Sequence, residues 1–411
     1  MKPFAGALII AIMSTVSCNE QPKQQQQAAN DAVYQPGSFG YDIRFLKKHD
    51  SGLVVLQNGA ASLAVSPKYQ AKVFTSTAAG EEGASFGWIH YKAFEGPEDP
   101  HMNGYGGENR LWLGPEGGKF SLFFPKGAKM EFANWKTPAA FDTEAWQLAE
   151  QTPQSATLLK DMQLTNYAGT ALSANVRRTV TLLSARGIDS MLQLSADSSV
   201  KAVGYRTENT LTNTGKEEWT ATTGMPCIWM LDMFNPSPST TIVIPYEEDK
   251  SGKKTKPATT DYFGEIPADR IRYENGVLFF KADGKSRGKL GIHPAQAKPV
   301  AGSYDAAHHI LTIILFDVNP MGQYLNQEWN TVKPAFSGDA VNAYNDGPLA
   351  NGSQMGPFYE LESVSPAAFL PAGHSLTHRH NVFHFTGAEA GLDRISRKVL
   401  GVSLDTIQKA L

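Results

Sequence analysis

Residues 356–366 read Gly-Pro-Phe-Tyr-Glu-Leu-Glu-Ser-Val-Ser-Pro. Glycine and proline mark both ends, and the interior alternates in polarity, which is the period of an extended strand. In a strand, Phe358, Glu360 and Glu362 share one face, and Tyr359 and Leu361 share the other. Tyr359 and Leu361 are then expected to face the core. Glu360 and Glu362 stand two residues apart, roughly 7 Å along the strand. Carboxylates that close raise each other's proton affinity, which suits a general base. The plainer reading is a pair of solvated glutamates on an outer sheet face, and residue chemistry leaves both open.

The rest of the chain has the same texture. Leu53–Leu56 and Ser62–Val65 flank Asn58-Gly59, a hairpin signal. Lys72–Thr75, Phe120–Phe124, Val277–Phe280 and Ile310–Phe316 read as strands, and Asn175–Leu183 (NVRRTVTLL) alternates before a turn at Arg186-Gly187. Met191–Ser195 alternates again. Helical spacing is confined to one or two turns at Thr143–Glu150 and to the C-terminus, where Leu392, Ile395, Val399, Leu404, Ile407 and Leu411 recur. Strands and helices do not alternate, and no repeat of fixed period occurs, which disfavours a doubly wound or barrel α/β fold and a propeller. The expected fold is all-β: a single large β-sandwich domain over residues 38–388, followed by short C-terminal helices over 389–411.

Composition narrows the function. The 411 residues carry 37 Lys+Arg against 40 Asp+Glu, a net charge of −3, so the basic stripe of a nucleic-acid binder is missing. There are two cysteines, Cys18 and Cys227, neither in a pair that could ligate a metal. Residues 1–17 read as an export signal: Lys2, then an apolar run from Phe4 to Val16 that is shorter than a bilayer span. The run ends in Thr15-Val16-Ser17-Cys18, which resembles a bacterial lipobox; Thr15 stands where Leu is usual. Cleavage before Cys18 and lipidation of Cys18 are expected, with the alternative of an ordinary secretory signal. Gln21–Gln27 then reads as a polar tether, giving a lipidated segment over residues 18–37. The expected location is the bacterial cell envelope, on a membrane. Cys227, between Pro226 and Ile228-Trp229, is expected to be a small buried residue.

The densest functional signal is Gly104–Gly118, GYGGENRLWLGPEGG. Glycines let a ligand approach the backbone. Tyr105 and Trp112 offer faces to sugar C–H surfaces, and Glu108, Asn109 and Arg110 offer hydrogen bonds of fixed geometry. No Gly-Lys-Ser/Thr follows, so a phosphate loop is excluded. The alternative is a structural turn with an internal Arg–Glu pair. His374, His378, His380 and His384 cluster within eleven residues, the last three with strand parity. A row along one strand does not make a tetrahedral site, so an exposed edge or partly buried strand is expected, with no metal and no cofactor. Gly-x-Ser-x-Gly is absent, so a nucleophile elbow is not indicated.

Taken in order, these segments resemble the galactose mutarotase-like (aldose 1-epimerase) superfamily, and within it exported bacterial lipoproteins, over roughly residues 50–385. Gly107-Glu108-Asn109-Arg110 is similar to the family's Gly-x-x-x-Asn-Arg substrate segment at a changed spacing. Asn209–Gly215 (NTLTNTG) resembles its Asn-Thr strand and turn, residues 356–366 its Glu-x-Gln segment, and Pro371-Ala372-Gly373-His374 its closing turn. The resemblance implies a β-supersandwich whose concave face binds carbohydrate. It puts Glu360 on the catalytic base and Glu362 where the family has Gln. It implies sugar contacts from Asn109 and Arg110, with Glu108, Trp112 and Tyr105 beside them. The family's general acid, a His after the Asn-Thr turn, has no counterpart in Thr223–Trp229 (TGMPCIW). His90, His101 and His293 are alternatives that spacing does not separate. Three functions stay open: an enzyme at a sugar's anomeric centre, a non-catalytic glycan-binding lipoprotein on the same scaffold, and a structural envelope protein.

Overall fold

Strand alternation builds the molecule, and Ala171–Leu182 shows how. Leu172, Ala174, Val176, Val180 and Leu182 turn inward while their neighbours face out, with Arg178 the one charged residue on the buried side. In the computed structural model, which describes residues 1, 34–195, 197–248 and 256–411, such strands form three antiparallel sheets among the described residues.

The largest sheet has ten strands in the order Ile271–Glu274, Val277–Lys281, Thr240–Pro245, Val300–Asp305, Ile310–Phe316, Ser375–Gly387, Val200–Asn213, Ala171–Leu182, Ser155–Thr165 and Gln147–Thr152. A six-stranded sheet runs Ala258–Thr259, Gly288–Ile292, Val341–Asn345, Tyr359–Val364, Cys227–Phe234 and Arg110–Gly114. Their inner faces enclose the main core, which includes Val176, Leu211, Ile228, Leu361 and Val382. The architecture is the expected all-β sandwich, in one domain. A three-stranded sheet, Val54–Asn58, Ala61–Ser66 and Lys72–Thr77, is attached to it. Its first turn is tight because Gly59 adopts a φ of +64°, which glycine takes without steric cost, and Asn58 then pairs with Ala61.

Helices cover what the sheets leave bare. Glu389–Val399 and Leu404–Gln408 bury Leu392, Ile395, Leu404 and Ile407 in a second cluster with Phe383, Phe385, Leu311 and Ile313 of the large sheet. Phe39–His49, capped by the Ser38 hydroxyl, packs Phe39, Ile43 and Leu46 on Ala64 and Phe74 of the small sheet. The sequence patterning did not reveal this helix.

Several expectations are corrected. Gln147–Thr152 is an exposed edge strand, not a helix, because it folds back on Ser155–Thr165. Met191–Ser195 is not a strand; Ala185–Leu192 is a helix that buries Ile188 and Leu192 and ends at Gln193 in the left-handed region. Phe120–Phe124 pairs with no strand and instead drives four apolar side chains into the core through turns. The histidine strand lies in the middle of the large sheet, not at an edge. His378, His380 and His384 are all at most 1% exposed. Cys18 and the segment around it fall outside the described residues.

Candidate functional site

Register explains how distant residues meet. In the six-stranded sheet Arg110 lies opposite Leu231, which lies opposite Glu362. One step along, Met233, Glu360, Tyr344 and Lys289 form the next row across four strands. All of these share the face turned away from the large sheet. Loops roof this face into a cleft of about 200 Å³, lined by Arg110, Trp112, Trp229, Lys289, Tyr344 and Glu360 from the strands. Met102, Glu116, Phe132, Trp135, Phe263, Arg287, Trp329 and Phe358 add walls and rim.

The walls are aromatic. Trp112 meets Trp229 edge-on with ring centres 5.6 Å apart, and Trp135 stacks between Phe132 and Trp329 at 6.1 and 6.0 Å. Phe132 is 61% exposed and Phe263 43%, so apolar faces stay open to a ligand at the rim. Flat apolar walls over a polar floor suit a molecule with one face of C–H groups and hydroxyls at its edge.

The floor is charged. Arg110 binds the Glu360 carboxylate through its outer nitrogen, and its guanidinium lies 5.2 Å from the Trp112 ring centre. Glu362 sits below with no exposure, accepting from Trp229 Nε1 at 2.8 Å and from Lys289 Nζ at 3.0 Å. Burial pushes the Glu360 carboxyl up to about 7. Arg110 opposes that rise, the Glu362 charge adds to it, and Lys289 opposes it. Glu116 is also raised by burial, against the pull of Lys289 and a hydrogen bond from Trp329. The turn that carries Glu116 depends on Gly117, where a Cβ would lie 2.1 Å from the carbonyl oxygen of Glu328.

The other face of the same sheet holds a closed polar network. Asn109 donates to Asp232 Oδ1 at 2.6 Å and accepts from Arg178. Arg178 also donates to Asn209 Oδ1 at 2.8 Å and the Ala71 carbonyl at 2.9 Å. Asp232 Oδ2 lies 2.7 Å from His380 Nε2, and Ser363 Oγ joins the rings of His380 and His378 at 2.8 Å each. His384 bonds Glu108 at 3.1 Å and Thr312 at 2.9 Å. Burial lowers His378 to about 3, so it is neutral. Every imidazole of the row is occupied by a protein partner.

Of the residues singled out from sequence, Arg110, Trp112 and Glu360 converge in the cleft, and Glu362 lies just beneath it. Asn109 and Glu108 are fully buried behind the sheet. Tyr105 packs among Tyr69 and Phe94, at 4.8 and 4.7 Å, away from the cleft lining. His90, His101 and His293 do not line it either. The glutamates are not solvated: Glu360 is 7% exposed and Glu362 has no exposure. Sequence reasoning passed over Glu116, although it lies in the glycine-rich segment, and over Lys289, Arg287, Trp229 and Trp329, whose surroundings carry no local pattern.

Comparison with solved structures finds distant matches. The chain is 12% identical to a galactose mutarotase-like protein from Lactobacillus casei, covering 81% of this chain and 100% of that one, with a TM-score of 0.48. It is 14% identical to the Slr1438 protein from Synechocystis, covering 82% and 96%, with a TM-score of 0.47. A galactose mutarotase related enzyme from Lactobacillus acidophilus is 9% identical over 82% and 97%, with a TM-score of 0.41. No curated protein sequence matches. Residues 37–411 match the model of a family of unknown function, DUF6786, and the chain belongs to that family.

Proposed function

We propose that the cleft binds a sugar and opens its ring at the anomeric carbon. The observation that carries this is Glu360: a buried carboxylate held up to about 7, facing an aromatic-walled cleft beside a guanidinium. A base poised near neutral pH takes the proton of the anomeric hydroxyl efficiently. As that O–H bond breaks, the carbonyl forms and the bond from C1 to the ring oxygen breaks. The ring oxygen needs a proton in the same event. Glu116, whose proton affinity burial raises, supplies it in place of the absent histidine. Ring closure on the opposite face returns both protons and yields the other anomer. Arg110 and Lys289 hold hydroxyls and steady the charge passing between the two carboxyl groups.

The engagement of Glu360 by Arg110 supports a second reading. A carboxylate already held by a guanidinium serves a glycan-binding protein equally well. Glu360→Gln separates the two. NMR of anomer exchange should show wild-type turnover falling by about 10²–10⁴-fold, while sugar binding weakens little. A wild type that binds sugars without exchanging anomers would leave only the binding reading. On the pattern around Cys18 alone, we further propose that the protein is a lipoprotein of the bacterial envelope.

A further inference from the structure

One cation of the cleft forms no direct ion pair among the described residues. Arg287 and Lys289 stand two residues apart, where the Gly288–Ile292 strand begins, and both line the cleft. Lys289 is matched by Glu362. Arg287, exposed at the rim, forms no ion pair among the described residues. Of the carboxylates near it, Glu360 is engaged by Arg110 and Glu362 by Lys289, while Glu116 feels the Arg287 charge less than that of Lys289 and forms no ion pair with it. Asp346 is reached only through Tyr344, whose hydroxyl donates to it at 3.0 Å, and its other oxygen accepts the Gly356 N–H at 2.8 Å.

Arg287 is nevertheless held in place. Its central carbon lies 3.8 Å from the centre of the Phe263 ring, and its Nε donates to Tyr344 Oη at 3.2 Å. Stacking fixes the guanidinium plane, and the Nε bond fixes its rotation. The two outer nitrogens remain, a fork whose spacing matches two oxygens of one oxyanion. A flexible surface arginine loses entropy when it binds an anion; one already ordered loses less.

We infer that the cleft is built for an acidic saccharide, whose carboxylate or sulfate docks on the Arg287 fork beside Phe263 while its anomeric carbon lies at Glu360. This rests on the anomeric reading given above and adds the substrate class. The span is suitable. Lys289, Tyr344 and Glu360 are successive cross-strand partners and Arg287 lies two residues before Lys289, so the Arg287 and Glu360 backbones stand roughly 12 Å apart on the diagonal. Long side chains reaching inward from both ends shorten that to about one sugar ring.

The test is calorimetric titration of the full chain with glucose, glucuronate and glucose 6-sulfate, repeated with Arg287→Gln and Phe263→Ala. An acidic sugar should bind about tenfold tighter than glucose, the effect of one charge-assisted contact. The comparison of glucuronate with the sulfate identifies the anion. Arg287→Gln should erase that ratio, and Phe263→Ala should reduce it. Both residues are exposed, so the melting temperature of each variant checks that it is folded. Equal affinity for acidic and neutral sugars, or a ratio that survives Arg287→Gln, overturns the inference and leaves the sugar reading standing. No binding of any of the three by a cooperatively folded protein overturns both.

Discussion

Asn109 and Arg110 are consecutive in the chain and serve opposite faces of one sheet. Arg110 enters the cleft and meets Glu360, while Asn109 turns inward to Asp232 and Arg178. A strand gives successive side chains to opposite sides, so adjacent residues that both look like sugar ligands cannot both reach the sugar. The pair instead ties the cleft floor to the sheet behind it.

Cleft chemistry predicts a pH profile. Glu360 must be ionised to accept a proton, so kcat/KM should rise through about pH 7 and then level. Glu116 must be protonated, so activity should fall again at higher pH. Glu116→Gln should remove the falling limb and cost about 10²–10⁴-fold in turnover. A falling limb that persists in this variant would assign the acid elsewhere. Stability should move oppositely to the rising limb. Glu360's folded value, about 7, lies above its ordinary 4.5, so its contribution is complete below 4.5 and is lost as pH rises through 7.

The inner network should be costly to break. Asp232→Ala leaves the Arg178 charge and the Asn109 amide buried without the carboxylate. Loss of one partner from a buried charge network costs about 3–5 kcal/mol. Urea unfolding at an unchanged m-value would measure it. A shift below about 1 kcal/mol would mean that the network does little to join the sheets.

Lys72 is buried beside Arg110, and burial with that like charge lowers its ammonium to about 7, against a weaker pull from Asp142. The unfolded chain keeps this proton up to about 10.5, so folding pays a penalty that is full below pH 7 and fades as pH rises towards 10.5. Lys72→Met keeps the stem's volume and removes the charge. It should raise the melting temperature, most at pH 6 and least near pH 10. A variant that melts lower at pH 6 would show that the ammonium is stabilised by its surroundings.

At the N-terminus the expectation is cellular. Wild-type protein expressed in a bacterium should fractionate with membranes and carry lipid on Cys18, whereas Cys18→Ala should be soluble or uncleaved. Wild-type protein recovered wholly in the soluble fraction with an unmodified thiol would remove the anchor.

The sequence made the β class legible because alternation and turn residues are local. It also pointed to Arg110 and Glu360, which sit in quotable segments. It did not reveal which strand face is covered. Residue chemistry left a solvated pair open for Glu360 and Glu362 because period two assigns residues to a face, not the face to water, and loops from elsewhere in the chain close over it. His378, His380 and His384 looked like an edge row for the same reason: a central strand facing a polar interior has the pattern of an exposed one. Lys289 and Trp229 gave no signal, since each acts only through a cross-strand neighbour. Met191–Ser195 misled because five residues cannot separate a strand from the end of a helix capped at Ser184.

The row through Lys289, Tyr344, Glu360 and Met233, with Arg110 beside it, also bears on how the protein is made. Arg110 and Glu360 are 250 positions apart, and the strand carrying Glu360 must insert between the strands of Met233 and Tyr344. During synthesis the Cys227–Phe234 strand, paired with Arg110–Gly114 on one side, therefore waits unpaired on the other until almost the whole chain has left the ribosome. Pairing over such distances is entropically slow and leaves strand edges open to other chains. A chain truncated before residue 359 would keep most of its strands and lack Tyr359–Val364 and Ser375–Gly387, each of which joins two others, making it a candidate for chaperone capture.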